Sequence, residues 1–209
     1  MNLSDLPWDN ILEILGFSVG LLYLWWECHA DSRLWYASIV MPAISMWVYL
    51  GKGLYADFAI TIYYFVMSLY GWYVWTRARH KGTRIHNDSP AGADNDTGGK
   101  QDMPVTHIPP RYIAGCTAVF LAIWLALYLV LEYMTDSNVP AADAFTTALS
   151  ITGAWMLARK YLEQWIVWIL VDAVSSSLYV YKEIYFYAVL YGIYTIIAVL
   201  GYRKWRSMM

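Results

Sequence analysis

Apolar residues in this sequence come in long runs separated by brief polar breaks, without the strict alternation of a half-buried strand. Seven runs stand out: Ile11–Cys28, Leu34–Leu50, Leu54–Trp75, Tyr112–Met134, Ala141–Ala158, Leu162–Tyr181 and Ile184–Tyr202. A helix needs about 20 apolar residues to cross the hydrocarbon core of a bilayer. The pattern therefore predicts an all-α polytopic membrane protein with seven transmembrane helices. Most breaks are short. The exception is Arg77–Pro110, which contains NDSPAGADNDTGGK and is too rich in Gly, Pro, Asn and Asp to pack, so a mobile linker is expected there.

Composition supports the same class: 59% of the residues are hydrophobic, 14% are charged and the mean hydropathy is +0.39, which excludes a soluble domain. Placement of charge says more than its net value of −2. With the N-terminus outside, twelve of the fourteen Lys and Arg residues fall on inner segments, and Lys52 and Lys182 alone fall outside. That bias predicts an outer N-terminus and a cytoplasmic C-terminus. The first run carries Asp5, Asp9 and Glu13 around it and no Lys or Arg. A secretory signal begins with positive charge, so this run is expected to stay in the mature protein. Cys28 and Cys116 lie in apolar runs without metal-type spacing and are read as packing residues.

The chain repeats itself. A shift of 130 residues without a gap aligns Trp25 with Trp155, Trp35 with Trp165, Ser45 with Ser175, Tyr49 with Tyr179, Lys52 with Lys182, Tyr64 with Tyr194, Gly71 with Gly201 and Trp75 with Trp205. Residues 1–76 and 136–206 are thus expected to form two three-helix repeats, with 77–110 as a cytoplasmic linker and 111–135 as a connector helix. Because the repeats lie four crossings apart they face the same way, a 3+1+3 parallel arrangement. Carriers built so hold their ligands between the halves near the midplane.

The sixth run holds the candidate chemistry. Asp172 lies near its centre, where a charge costs roughly 2.5–3.5 kcal/mol on insertion scales. Trp165, Trp168, Asp172, Ser175 and Tyr179 fall at helical spacing on one stripe, a face suited to a flat, polar, cationic molecule. The alternative is an Asp172 that is protonated or hydrogen-bonded and simply ties this helix to its neighbours. The paired stripe in the second run is Trp35, Ser38, Pro42, Ser45 and Tyr49, with a proline where the acid stands. A proline within a span frees a carbonyl and makes Pro42 a candidate hinge. The third and seventh runs carry Thr61, Tyr64, Ser68, Gly71 and Trp75, and Tyr191, Tyr194, Ala198, Gly201 and Trp205. Their small residues permit close helix approach, and Gly71 and Gly201 are candidate hinge or gate positions. The candidate binding set is Trp165, Trp168, Asp172, Ser175, Tyr179, Thr61, Tyr64, Ser68, Trp35, Tyr191 and Tyr194. For most of these aromatics the competing reading is core packing or an interfacial belt.

The segments GLYADFAITIYYFVMSLYGWYVWTR (53–77), ARKYLEQWIVWILVDAVSSSLYVYKEIY (158–185) and GYRKW (201–205) resemble the PnuC-type vitamin transporters. The resemblance covers nearly the whole chain. It implies a seven-helix 3+1+3 carrier similar in plan to SWEET sugar transporters, trimeric, in the bacterial inner membrane. It further implies uptake of thiamine, nicotinamide riboside or a related vitamin by facilitated diffusion, with an intracellular kinase trapping the product. In the nicotinamide riboside branch, amides are expected at the positions that here read Thr61, Ser68 and Asp172. Hydroxyls and an acid suit thiamine, with its cationic ring and aminopyrimidine donor, although nicotinamide riboside also carries a cationic ring.

Other classes fit less well. An intramembrane enzyme needs a nucleophile–base pair or a metal cluster, and His29, His80, His86 and His107 all lie away from span centres. A retinal protein needs a lysine deep in a span, whereas Lys182 and Lys204 sit at ends. There is no G-x-x-x-x-G-K-[ST] motif for ATP. No catalytic residue, metal, cofactor or nucleic-acid partner is expected. A passive binding subunit of a larger uptake complex stays open as an alternative to a stand-alone carrier.

Overall fold

The computed structural model describes residues 19–52, 55–87, 103–135 and 138–209. Seven helices lie among them: α1 (19–28), α2 (Leu34–Lys52), α3 (Tyr55–Asn87), α4 (Pro110–Met134), α5 (Pro140–Ala158), α6 (Gln164–Tyr181) and α7 (Tyr185–Arg206). The start of the first expected span and the Gly-rich centre of the expected linker lie outside the described residues. Prolines open α4 and α5 at positions where a missing N–H costs nothing. Pro42 stands inside α2, which continues as one helix past it.

Among the described residues four helical stretches are long and apolar enough to cross a membrane, namely Leu34–Gly51, Phe58–Ala78, Pro110–Met134 and Tyr185–Arg206. The 19-residue α5 and the 18-residue α6 carry most of the polar residues that line a cavity. In the bundle α2 packs on α3, α6 on α7, α4 on α5, and α5 on both α6 and α3. Tyr63 of α3 donates to the Ile151 carbonyl of α5 at 2.7 Å.

Positions 130 residues apart behave alike. Ala30 and Lys160, in the turns before α2 and α6, both adopt left-handed backbone, with φ of 50° and 54°. Trp35 meets Trp75 edge-on at 5.4 Å, and Trp165 meets Trp205 edge-on at 5.7 Å. Each indole covers a glycine: a Cβ built on Gly71 would lie 2.1 Å from Trp35, and one on Gly201 2.5 Å from Trp165. The ends of the third helices are also exchanged. Trp75 Nε1 donates to the Ala158 carbonyl at 3.2 Å, and Trp205 Nε1 to the Glu27 carbonyl at 2.8 Å. These two bonds tie α3 to the end of α5 and α7 to the end of α1. They gather Arg33, Arg159, Lys160 and Arg203 at one end of the bundle, called here the basic end.

Replacing Trp75 or Trp205 by Phe keeps most of the packing and leaves a buried carbonyl without its donor. Each change is expected to cost about 1–3 kcal/mol, read as earlier thermal unfolding of the detergent-solubilised protein. Unfolding at the wild-type temperature would show that these bonds do not hold the helix ends together.

The expected linker differs from the structure at both ends. Helix α3 runs to Asn87, past Trp75, because the end of an apolar run marks the edge of hydrocarbon and not the end of a helix; TRARHK is compatible with helical backbone. Residues 103–109 pack against the turn between α5 and α6. Thr106 N–H donates to the Lys160 carbonyl at 3.1 Å, and Leu162 N–H donates to the Thr106 carbonyl at 3.0 Å. Lys160 Nζ reaches the Met103 carbonyl at 2.9 Å, and Glu163 accepts from Ile108 N–H at 3.0 Å and faces His107 Nδ1 at 2.7 Å. Val105 and Ile108 are buried, so this stretch has apolar side chains to place, unlike the Gly-rich segment before it.

Candidate functional site

Polar residues on α5 fall at helical spacing, so Asp143, Thr146, Thr147 and Ser150 share one face. That face lies against the α6 stripe. Together with Tyr64 of α3 and Tyr191 of α7 they enclose a cavity of about 420 Å³, lined on α6 by Trp168, Asp172, Ser175 and Tyr179 and just beyond its end by Lys182. This volume is within the range of about 300–1,000 Å³ usual for small-molecule sites. Lys182 Nζ bonds both Asp143 oxygens at 3.2 Å, which neutralises the end of the cavity remote from the basic end.

The hydrogen-bond directions give this cavity its character. Thr146 Oγ1 donates to the Ala142 and Asp143 carbonyls, Thr147 Oγ1 to Asp143 and Ser150 Oγ to Thr146. Each hydroxyl hydrogen is therefore used within α5, and what remains for a ligand is oxygen lone pairs. Asp172 is buried at 8% exposure, and among the described residues no hydrogen bond reaches its carboxylate. The α5 wall thus offers acceptor oxygens across from one acid, while the Tyr64, Tyr179 and Tyr191 hydroxyls and Lys182 add to the lining; the acid and the α5 oxygens suit a ligand that brings N–H donors or positive charge. Flat surfaces complete the cavity. Tyr179 stacks on Tyr191 at 5.2 Å and on Tyr187 at 5.3 Å, and Trp168 closes the opposite end.

Trp168 and Tyr64 also line a second, almost wholly apolar cavity of about 280 Å³ toward the basic end, with Tyr23, Trp35, Ser38, Pro42 and Ser68. Ser68 Oγ donates to the Tyr64 carbonyl at 2.8 Å, and Ser38 Oγ to the Leu34 carbonyl at 2.9 Å.

The sequence-derived set thus divides. Trp168, Asp172, Ser175, Tyr179, Tyr64 and Tyr191 meet around the polar cavity. Trp35, Pro42 and Ser68 line the apolar one. Thr61 is buried and lines neither, and Tyr194 stands behind Tyr191 in edge contact at 5.8 Å. Trp165 requires correction as a stacking partner. It is 1% exposed, wedged between Gly201 and Trp205, and offers no face to either cavity. Sequence reasoning passed over Thr146, Thr147 and Ser150, although a run of hydroxyls three and four residues apart in an apolar helix was a readable signal. Among the described residues no three His, Cys, Asp or Glu side chains converge on a point.

The family model for the nicotinamide mononucleotide transporter matches residues 10–207. The chain is 21% identical to the nicotinamide riboside transporter PnuC of Escherichia coli K12 over 96% of its own length and 86% of that protein. It is 28% identical to the riboflavin/roseoflavin transporter RibM of Streptomyces davaonensis over 66% of its length and 58% of that protein. Its fold is similar to the crystal structure of the vitamin B3 transporter PnuC, with a TM-score of 0.61, 16% identity, and coverage of 91% of this chain and 78% of that one. With a match that runs nearly from end to end, the chain belongs to the nicotinamide mononucleotide transporter family, the PnuC-type vitamin transporters.

Proposed function

We propose that this protein carries a water-soluble B-vitamin across the bacterial inner membrane by facilitated diffusion, and that the vitamin is thiamine. The observation that carries the reading is the Asp172 carboxylate, to which no hydrogen bond is made among the described residues, in one cavity with the acceptor oxygens of α5 and with Trp168. Thiamine brings a cationic ring and an aminopyrimidine donor to such a cavity. Thr61 and Ser68 add nothing to this argument, since neither lines the polar cavity; the choice of ligand rests on Asp172.

A second reading is nicotinamide riboside, favoured by the likeness to PnuC of Escherichia coli. Riboflavin, named for the relative RibM, is neutral and would gain little from the acid. The proposed architecture is a 3+1+3 pair of parallel repeats with seven spans, N-terminus outside, in a homotrimer. The matched turns, the Trp–Gly contacts and the exchanged Trp bonds support the repeat. An intracellular kinase would keep the gradient inward without forming a stable complex.

The test is uptake by purified protein in liposomes. Thiamine is expected to equilibrate with no ion gradient, and unlabelled nicotinamide riboside to compete weakly. Accumulation above equilibrium under an imposed proton or sodium gradient would overturn passive transport. A need for an ATPase module would favour the alternative of a binding subunit in a larger complex.

A further inference from the structure

At the basic end, below the apolar cavity, Glu27 of α1 and Gln164 of α6 are 2% and 0% exposed, as buried as any leucine of the core. Among the described residues Glu27 Oε1 and both polar atoms of the Gln164 amide lack a hydrogen bond, although the Tyr23 hydroxyl and the Gln164 amide lie beside the carboxylate. Burying polar groups in this way is costly and wants a reason.

Comparison with the positions 130 residues away sharpens the question. Glu27 corresponds to Leu157 and Gln164 to Leu34, which are 3% and 0% exposed and belong to one apolar cluster. Equivalent places at this end therefore hold leucines in one arrangement and an acid with an amide in the other. A seal needs only the leucines.

The polar pair also lies on a continuous track. Gln164, Trp168 and Asp172 follow at four-residue spacing on α6, and Tyr23 and Glu27 do so on α1. Trp168 borders both cavities and Tyr23 borders the lower one, so Glu27 and Gln164 lie one helical turn below the floor. Asp172 and Glu27 are near enough to interact electrostatically.

We propose that Glu27 and Gln164 form a second ligand station, which takes an organic cation bearing N–H donors as it leaves the cavity through the basic end. The proposal rests on the vitamin-carrying reading. In the state described here the station is shut, and part of its hydrogen-bonding capacity is unused among the described residues. When the helices part at the basic end, the carboxylate receives the cation and the amide its polar substituents, and the cost of their burial is relieved.

The test replaces the pair by its leucine counterpart, Glu27→Leu with Gln164→Leu, and uses thiamine as probe. Binding by tryptophan quenching is expected to stay within threefold of wild type, while thiamine exchange across proteoliposomes falls at least tenfold. Thermal unfolding is expected no earlier than in the wild type, since unpaired polar groups are replaced by packing. Glu27→Gln alone, which keeps size and polarity, is expected to slow exchange at least fivefold. Wild-type exchange in both variants would overturn the station and leave the proposed function intact. Equal losses of binding and exchange would place the pair in the main site and overturn it too. A wild-type protein that exchanges neither thiamine nor nicotinamide riboside would overturn both readings.

Discussion

Replacing Asp172 by Asn is expected to weaken thiamine binding roughly 10- to 150-fold, about 1.5–3 kcal/mol, in a protein that remains folded. The substitution keeps size and shape and removes the charge alone. Nothing in the cavity can replace that charge. The hydroxyls of Thr146, Thr147 and Ser150 are neutral, and Asp143 is already paired with Lys182. Trp168 alone contributes up to about 2 kcal/mol of cation–π attraction when desolvated, which explains why some binding should survive. The competing view makes Asp172 a tie between helices. It predicts unchanged affinity and earlier unfolding, because a lost tie weakens the bundle and not the ligand contact. A titration followed by tryptophan quenching, with a melting curve beside it, separates the two. A gain in nicotinamide riboside binding would strengthen the assignment, since an amide both donates and accepts toward ribose hydroxyls.

Asp172 also shows what was legible in the sequence. A charge inside an apolar run is anomalous by itself, and residues spaced around a helix turn identify its companions, so Trp168, Ser175 and Tyr179 were found from α6 alone. The α5 wall was harder to see. Its hydroxyls cost little to bury when they bond their own backbone, so they do not register as anomalies. Only the packing of α5 against α6 makes Thr146 and Ser150 a surface opposite the acid.

Trp165 failed for a related reason. Spacing places it on the same stripe as Trp168, but a stripe on a long helix passes more than one neighbour. Near the start of α6 that neighbour is the tightly packed end of α7. Glu27 likewise reads as an ordinary polar residue at the close of an apolar run, and only its 2% exposure reveals it.

The second large effect concerns Gly71 and Gly201. Sequence reasoning offers two roles for them, hinge or close-approach site, and the two predict different failures. In α7 a Cβ at Gly201 would lie 2.5–2.6 Å from three atoms of the Trp165 indole, and in α3 a Cβ at Gly71 would lie 2.1–2.6 Å from Trp35. Trp165 is 1% exposed and lines neither cavity, so it has little room to retreat, whereas Trp35 borders the apolar cavity and its clash is the easier of the two to relieve. Gly201→Ala is therefore expected to cost at least the 1–3 kcal/mol typical of overpacking, roughly, and Gly71→Ala less, against a helix-propensity gain of about 1 kcal/mol. Gly201→Leu should give little monodisperse protein. Gly115→Ala is the control. It lies in α4 with nothing within 4 Å of an added Cβ, so propensity alone acts and the protein should be unharmed or slightly more stable. If the penalty is a clash, trimming the partner should return part of it. Trp165→Phe combined with Gly201→Ala is expected to unfold later than Gly201→Ala alone, the two changes being strongly non-additive because they share one contact. A hinge behaves otherwise: Gly201→Ala would then melt like wild type, lose exchange in liposomes and gain nothing from Trp165→Phe.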